Sequence, residues 1–560
     1  MGDLLRSELV VLPTLFTLRQ TTLHNTIKKT MNVKNYNRYF HLHTISGIII
    51  TVILYIFFFA GSFAFFKNEI NSWQNNAPKK QYSATTIDYE TILDSIDTQY
   101  GLYGRSVSFR LSQKTRAVGL NIQATQDSLN PKAKERSFGS LDPESLELKS
   151  YSEGYALGEF LYRLHFFAQV NSLGNFMGWP IGYMIAGFVS FAFLFALITG
   201  LLVHWQKIVS NFYIFRPWEK IKTVWTDLHT ALGVISFPFQ LIFAVTGCYF
   251  LMNYYIIMNS VALIGYQGDN QKLQEEASYR RSQSKEIVFQ NKPLGKEVDL
   301  NYYVDKTIQK WDGAILSMVQ VTNYGDQGMT VRITGNAPRE KRFHSQGEII
   351  YEVATGEQQE ISNPNKAPGY GYTFANIIYE LHFGAFGGYA TRIAYFLVGI
   401  AGCIVILSGV LIWLVARDKK NVPERKRKFN FWLANIYMAI CLSMYPITAL
   451  SFIAVKINPN AGQEYIYSFY FWSWLIASIL LSARKSIYKT NRDCLLLGSI
   501  IGLIIPLVNG IVTGSWFWDN WKNGYHDILL IDLFWIIVPI ITLIAWKLIR
   551  NKHEQKQMTN

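Results

Sequence analysis

The chain has 560 residues, of which half are hydrophobic and only 16% are charged, a composition that favours a membrane protein over several soluble domains. The net charge of +14 does not indicate nucleic-acid binding, because the basic residues gather in short segments between apolar runs rather than on one folded module. The four cysteines lie in or beside these runs without metal-ligand spacing or a Cys-x-x-Cys-His motif, which excludes a disulfide framework and covalently attached haem.

The apolar residues form runs of about 20 residues, each long enough to cross a hydrocarbon core of roughly 30 Å. The predicted membrane spans are 45–66, 181–203, 230–252, 393–415, 430–455, 465–483, 494–514 and 527–546. Basic segments precede span one, join spans two and three, and follow spans four, six and eight, so we expect both termini in the cytoplasm. The first 30 residues contain no clear cleavage site, which predicts that span one is retained as an anchor, and Met31 is an alternative start.

Two polar segments, 67–180 and 253–392, are predicted to fold outside the membrane as small α+β modules. In the first, 88–100 has a helical pattern and 106–125 alternates as paired strands do. In the second, 300–311 is helix-like, and 314–322 with 329–335 indicate a hairpin. The predicted fold class is therefore a mainly α, polytopic membrane protein of about eight transmembrane helices with two extracytoplasmic α+β modules.

The order of span, outer module, histidine-bearing helix and span occurs twice. Leu42-His43-Thr44 returns as Leu228-His229-Thr230, and Leu164-His165-Phe166 returns as Leu381-His382-Phe383. We infer a duplicated unit, with functional groups expected where the copies meet. The predicted divisions are an N-terminal segment 1–37, repeats 38–205 and 222–417, a C-terminal four-helix region 430–546 and a tail 547–560.

Histidines at a membrane boundary are costly enough to need a reason. The predicted ligand set has an inner group at the cytoplasmic ends of the spans and an outer group beside the modules: His43, His204 and His229 inside, and His165 and His382 outside. Each inner histidine has a glycine four residues deeper, Gly47, Gly200 and Gly233 respectively, on the same helix face. A flat macrocycle ligated by imidazole would lie against such bare backbone, so the pattern predicts b-type haem, most simply two, with the five histidines as candidate axial ligands.

The pairing of the ligands has alternatives. Pseudosymmetry favours His165 with His382 for an outer haem and His43 with His229 for an inner one, but His204 either replaces one of the inner pair or stands beside it. A zinc or copper cluster is disfavoured because no cysteine or carboxylate completes one. His41 points to the other side of its helix, and the histidines without a repeat partner are expected to have no role in the site: His24, His344, His526 and His553.

Several motifs, in the right order, resemble the PepSY-associated transmembrane helix family. They are Asp227 to Gly233, Phe237-Pro238-Phe239, Thr246-Gly247, His204-Trp205, Leu381 to Gly384, and Ser408-Gly409 with Trp413. The likeness covers about 35–417. The resemblance implies PepSY-like outer modules and a bacterial inner-membrane location. Members of this family include haem-containing ferric-siderophore reductases and iron-regulated membrane proteins. The expected activity is electron transfer outward to a ferric siderophore or another iron chelate.

The electron donor and the rival functions stay open from the sequence. No dinucleotide-binding glycine motif and no inner loop large enough for a flavin domain occurs, so the donor is expected to be a membrane quinol or a separate protein. Asp532 is a candidate for quinol-linked proton handling or a carboxylate reaching outer water, and the three arginines Arg163, Arg216 and Arg392 are candidates for offsetting haem propionates. The alternatives to a reductase are a haem, iron or siderophore permease and a peptide-binding regulatory protein.

Overall fold

The structure, a computed structural model, describes residues 33–78, 82–111, 118–125, 127–269, 272, 288–338, 345–367 and 370–558. The predictions about the first 30 residues and the alternative start at Met31 lie outside these ranges, as do His24 and His344.

The first repeat begins with a long helix, passes through four strands of one sheet and a short two-stranded ribbon, and returns to the membrane in a second long helix. Its elements are α1 (Val33–Ala64), α2 (Lys67–Gln74), α3 (Tyr89–Tyr100), β1 (Val107–Arg110), β2 (Val118–Ile122), β3 (Ser137–Leu141), β4 (Leu148–Ser150), α4 (Leu157–Leu164), β5 (Asn175–Phe176), β6 (Trp179–Pro180), α5 (Ile181–His204) and α6 (Ile208–Phe212).

The second repeat follows the same plan, and four further long helices complete the chain. The elements of the second repeat are α7 (Ile221–Met252), α8 (Met258–Gly265), α9 (Leu300–Lys310), β7 (Ile315–Thr322), β8 (Thr330–Asn336), β9 (Gln346–Glu352), β10 (Gln358–Ser362), α10 (Tyr370–Phe383) and α11 (Gly388–Arg417). The C-terminal region consists of α12 (Glu424–Ile457), α13 (Gln463–Ala483), α14 (Ile487–Thr513), α15 (Phe517–Lys522) and α16 (His526–Met558).

Eight helices among the described residues are long and apolar enough to cross a membrane, which confirms the predicted number. They are α1, α5, α7, α11, α12, α13, α14 and α16. The helices α1 and α7 begin about two to three turns before the apolar runs at 45 and 230, because a helix continues past the segment that lipid surrounds. His43 and His229 therefore lie inside these helices, where helix packing fixes their direction.

The polar segments of both repeats join in one antiparallel sheet of eight strands, in the order β10-β9-β8-β7-β1-β2-β3-β4. The junction is the pairing of β1 with β7, in which Val107 faces Val321 and Phe109 faces Val319. The helices α3 and α9 cover one face and share a single hydrophobic core with the strands of both modules. The predicted helices and the predicted hairpin are present, but the continuous sheet and the strands β3, β4, β9 and β10 were not predicted.

The helix α1 lies at the centre of the membrane bundle, where it packs against α5, α11 and α12. Its side chains from Tyr55 to Ala60 are all buried, which explains an apolar run without an amphipathic face. The membrane side that carries the sheet is called the sheet side below, and the opposite side, with the basic connections, is called the loop side.

Candidate functional site

Two histidines from the two repeats face each other at the sheet side, and they are called the sheet-side pair. The rings of His165 and His382 have centroids 6.0 Å apart. His165 Nδ1 lies 2.7 Å from the carbonyl oxygen of Phe57 in α1, and His382 Nδ1 lies 2.7 Å from the hydroxyl of Thr246 in α7. The Thr246 hydroxyl already donates to the Ile242 carbonyl, so it accepts from His382.

A second pair, the loop-side pair, lies at the other membrane boundary. The rings of His43 and His229 have centroids 6.1 Å apart. His43 Nδ1 donates to the Ala196 carbonyl at 2.9 Å, and His229 Nδ1 donates to the Val405 carbonyl at 2.8 Å. Each of these acceptors belongs to the second span of the same repeat as its histidine.

Carbonyl acceptors fix the tautomer of His43, His165 and His229, and the bond from the Thr246 hydroxyl to the Ile242 carbonyl assigns the same tautomer to His382. An acceptor opposite Nδ1 requires the proton to sit on Nδ1, which leaves the lone pair of Nε2 available. A neutral imidazole held in this way by a carbonyl or hydroxyl is the usual arrangement of a metal-ligating histidine. Two imidazoles on opposite sides of one metal ion, with bonds of about 2.0 Å, have centroids roughly 6 Å apart. Both pairs match this spacing.

The protein alone does not complete a metal site at either level. Within the described ranges, no group of three or more His, Cys, Asp or Glu side chains is placed to hold a metal ion. A metal that brings its own equatorial ligands, as the iron of haem does, needs only the two axial positions that each pair offers. The donor set therefore fits a macrocyclic metal better than a bare ion.

A cavity of about 440 Å³ adjoins the sheet-side pair, within the roughly 300–1,000 Å³ typical of cofactor pockets. His165 and His382 line it together with aromatic side chains from both repeats, including Phe58, Phe193 and Phe250. The described lining residues include no Asp, Glu, Lys or Arg, and their hydroxyl groups come from tyrosines and serines. The space beside this pair is thus apolar, large and shared by the two repeats.

The helices that carry the sheet-side pair end in the same way, which aims both imidazoles into the bundle. Two residues after each histidine the backbone adopts a left-handed conformation, at Phe167 (φ 56°) and at Gly384 (φ 59°). Glycine adopts this conformation without steric cost, whereas phenylalanine does so at a cost. The Phe167 ring packs against Phe57 at 5.1 Å, and this contact holds the strained turn in the first repeat.

Small residues on neighbouring helices make room for three of the four rings. A side chain at Gly61 would meet His165 Nδ1 at 2.5 Å, and one at Gly200 would meet His43 Cε1 at 3.0 Å. A Cβ added at Gly409 would lie 3.2 Å from His229 Cε1. In all three cases the acceptor carbonyl lies four residues before the glycine, at Phe57, Ala196 and Val405 respectively. One local arrangement, a carbonyl with a glycine one turn later, is therefore used three times.

This arrangement changes the part predicted for the glycines. Gly200 lies against the ring of His43, a histidine of another helix, rather than serving the His204 of its own helix. A Cβ at Gly47 or Gly233 would meet no atom within 4 Å, and the packing of a macrocycle over these two glycines stays a prediction. The prediction missed Gly61, Gly409 and the acceptor Thr246. Gly61 and Gly247 each follow a loop-side histidine by 18 residues, five full turns along one helix face, and this spacing was the available signal.

The remaining histidines stand apart from the two facing pairs. His204 is half-buried at the end of α5, within electrostatic range of His229. His41 is exposed, as predicted from its position on the other side of α1, and His526 is exposed at the start of α16. The structure thus brings together the pairs that pseudosymmetry favoured and leaves His204 beside the loop-side pair.

Each of the three arginines proposed to offset propionates is paired with a carboxylate of the chain. Arg163 Nε donates to Glu159 at 2.7 Å, and Arg216 donates to both carboxylate oxygens of Asp227 at 2.8 and 2.9 Å. Arg392 makes a two-pronged ion pair with Glu69. These ion pairs give the arginines a structural role. The pair of Arg392 with Glu69 joins α11 to α2, two helices that are distant in sequence.

Asp532 is fully buried, so the alternative in which it reaches water is wrong. Its carboxylate accepts hydrogen bonds from Trp73 Nε1 at 2.8 Å and from the amides of Asn509 and Asn520. Lys456 lies 4.1 Å from the centroid of the Trp73 ring and donates to the Trp73 carbonyl. The burial follows because α16, α14 and α12 close around the Trp73 side chain of α2. The predicted proton-handling role stays untested.

The fold and the site define a class: a polytopic membrane protein with two copies of a span, module, histidine-helix and span unit, whose histidines meet between the copies. A family model described as PepSY-associated TM region matches residues 40–416, about two thirds of the chain. The chain belongs to this family. None of the curated proteins matches the chain. The C-terminal region lies beyond the matched residues.

Proposed function

We propose that the protein is a transmembrane oxidoreductase with two b-type haems, which passes electrons across the bacterial inner membrane to reduce a ferric siderophore or another iron complex. The observation that carries the proposal is the pair of neighbouring imidazoles, one from each repeat, at each end of the bundle, with ring centroids 6.0 and 6.1 Å apart. His165 with His382 would hold one haem, and His43 with His229 the other. A haem bound by two imidazoles supplies one-electron redox chemistry.

The chain supports this chemistry in two ways. The acceptors at Nδ1 hold the rings in one orientation, leave Nε2 as the free nitrogen of each neutral imidazole, and raise the basicity of that ligating nitrogen. The described lining of the cavity beside the sheet-side pair is mostly apolar and has no charged side chain, which favours the less charged, reduced form of a bound redox centre. At the loop side, a Cβ added at Gly47 or Gly233 would meet no atom within 4 Å.

The direction of electron flow rests on topology and on the resemblance. The basic segments favour the cytoplasm for the loop side, so the sheet side would face the periplasm. The acceptor is inferred from the likeness to ferric-siderophore reductases. A membrane quinol or a separate protein would supply electrons at the loop side. A quinol releases two electrons and two protons, so its oxidation reduces two ferric complexes, each of which takes one electron.

The test is an absorption spectrum of the purified full-length protein before and after dithionite, together with a haem-to-protein ratio. The expected result is about two non-covalent b haems per chain that dithionite reduces. A second measurement follows the re-oxidation of the reduced protein when ferric hydroxamate or ferric citrate is added under anaerobic conditions. The matched variants are His165→Ala and His43→Ala, which are each expected to lose one spectral component.

The outcomes separate the proposal from its rivals. A protein that is colourless, although folded and expressed with adequate haem supply, would contradict the oxidoreductase. If dithionite reduces the haem but neither ferric hydroxamate nor ferric citrate re-oxidises it, the protein would still be an electron-transfer protein, but ferric complexes would not be its acceptor. Uptake of a ferric chelate into proteoliposomes without a change in iron valence would favour a permease instead.

A further inference from the structure

The C-terminal region, residues 424–558, lies beyond the part of the chain that the family model matches, yet it packs directly on one of the histidine-bearing helices. The helix concerned is α4, which ends at His165. Phe160 of α4 is fully buried, and its ring lies 4.7 Å from the ring of Tyr470 and 5.6 Å from that of Phe471 in α13. The hydroxyls of Tyr155 and Tyr467 are 3.3 Å apart at the same interface.

A second contact fastens the start of α4 through α2. The side-chain oxygen of Gln74 accepts a hydrogen bond from the backbone nitrogen of Leu157 at 2.8 Å, which satisfies one of the free donors at the helix N-terminus. The neighbouring Trp73 is held by Asp532 of α16 and by Lys456 of α12. The C-terminal region thus contacts α4 along its flank and reaches its first turn through α2.

Among the described residues, no C-terminal helix covers the equivalent helix of the second repeat in this way. The motifs around His165 and His382 align with a constant offset of 217 residues, so Phe160 corresponds to Ile377 and Leu157 to Phe374. Phe160 and Leu157 are 0% exposed, whereas Ile377 is 39% and Phe374 is 56% exposed. The two helices carry equivalent histidines, but only α4 has its outward flank buried by α13.

We propose that the C-terminal region is a positioning element for His165, which fixes the first-repeat ligand of the sheet-side haem while the His382 ligand is set by the second repeat alone. This inference rests on the proposed function. Its positioning residues are Tyr470, Lys456 and Asp532. They act through α4 and through Trp73 of α2 rather than by touching the cofactor. Burial of α4 between the bundle and α13 restricts the imidazole of His165 to one direction.

The experiment compares full-length variants of the holoprotein. Tyr470→Ala removes the ring that packs against Phe160. Tyr470→Phe keeps this ring and loses only its hydroxyl contact with Thr448, and Ile377→Ala shortens the exposed counterpart on α10. Electron paramagnetic resonance of the oxidised protein records the two haem signals, and His165→Ala identifies the sheet-side signal. Hydrogen–deuterium exchange of peptides covering 157–165 and 374–382 measures the order of the two helices without reference to haem.

In Tyr470→Ala the sheet-side signal is expected to shift or broaden, the loop-side signal to stay unchanged, and exchange in 157–165 to quicken by roughly tenfold or more. Tyr470→Phe and Ile377→Ala are expected to match the wild type. Faster exchange with an unaltered sheet-side signal would overturn the proposal, because the contact would then be structural only. If Tyr470→Ala does not fold, Trp73→Phe is measured in its place. This variant loses the hydrogen bond to Asp532, and the same changes in the sheet-side signal and in exchange of 157–165 are expected. A wild-type protein without haem would overturn the proposed function itself.

Discussion

Replacing Gly61 with alanine tests the geometry of the sheet-side pair at its tightest point. The added Cβ would lie 2.5 Å from His165 Nδ1 and 2.7 Å from Cε1, whereas favourable contacts between non-bonded heavy atoms begin at about 3.5 Å. The ring must therefore move by about 1 Å. The 2.7 Å hydrogen bond from Nδ1 to the Phe57 carbonyl does not survive such a movement, because the glycine and the acceptor lie on adjacent turns of one helix face.

The size of the effect follows from the cost of overpacking. Inserting a methyl group into a well-packed site costs about 1–3 kcal/mol, which weakens haem binding at that site by roughly 5- to 150-fold. The matched control is Gly247→Ala, the equivalent position of the second repeat. Its Cβ would meet only the Ser190 hydroxyl, at 3.3 Å, and a rotation of that side chain relieves the contact.

The assay is the haem-to-protein ratio of the purified variants, with the paramagnetic resonance spectrum of each. Gly61→Ala is expected to fall from about two haems toward one and to lose the signal that His165→Ala also removes. Gly247→Ala is expected to keep both haems. Full occupancy with unchanged signals in Gly61→Ala would refute the reasoning, and so would an equal loss in the two variants.

Three further outcomes follow from the structure. His204→Ala is expected to keep both haem signals, and loss of the loop-side signal in its spectrum would assign His204 as a ligand. Thr246→Val removes the acceptor for His382 Nδ1 and is expected to raise the reduction potential of the sheet-side haem alone in a redox titration, with Thr246→Ser as the unshifted control. Burial raises the pKa of Glu159, but Lys67, Tyr151 and Arg163 outweigh it and hold the pKa below its usual value. The stabilisation by this carboxylate is therefore present above pH 4.5, the unperturbed value, and is lost as the pH falls through the lower folded-state pKa. Glu159→Gln is expected to lower the melting temperature at neutral pH but to lessen the acid-induced fall, and equal acid sensitivity of both proteins would contradict this.

The sequence predicted the membrane helices well because their apolar runs are a local signal. The eight spans, the helix at 89–100 and the hairpin around 323–329 need no information beyond their own residues and periodicity. The pairing of β1 with β7 joins residues about 210 positions apart, and no local pattern specifies it. The two modules were therefore predicted as separate units although they share one sheet and one core.

The candidate ligands were predicted from the repeat, but their supports were not. Duplication places His165 opposite His382 and His43 opposite His229 because equivalent residues of two packed copies meet at their interface. The glycines beside the rings were sought on the same helix as the histidine, whereas Gly61, Gly200 and Gly409 lie on neighbouring helices. The ion pairs of Arg163, Arg216 and Arg392 with Glu159, Asp227 and Glu69 were not predicted, because sequence alone does not reveal such partners, and the role of these arginines toward propionates stays a prediction.

If the proposed haems are bound, the unequal acceptors at the two levels would set an order of reduction potentials. At the loop side both imidazoles donate to backbone carbonyls, but at the sheet side His382 donates to the Thr246 hydroxyl, whose proton is engaged with the Ile242 carbonyl. A carbonyl is the stronger acceptor and makes the opposite nitrogen a better donor to ferric iron, which lowers the potential. The apolar cavity beside the sheet-side pair raises the potential there. The sheet-side haem is therefore expected to have the higher potential, so that electrons entering at the loop side move downhill toward the sheet. A potentiometric titration, with the two signals identified by His165→Ala and His43→Ala, measures this order, and the reverse order would contradict outward electron transfer.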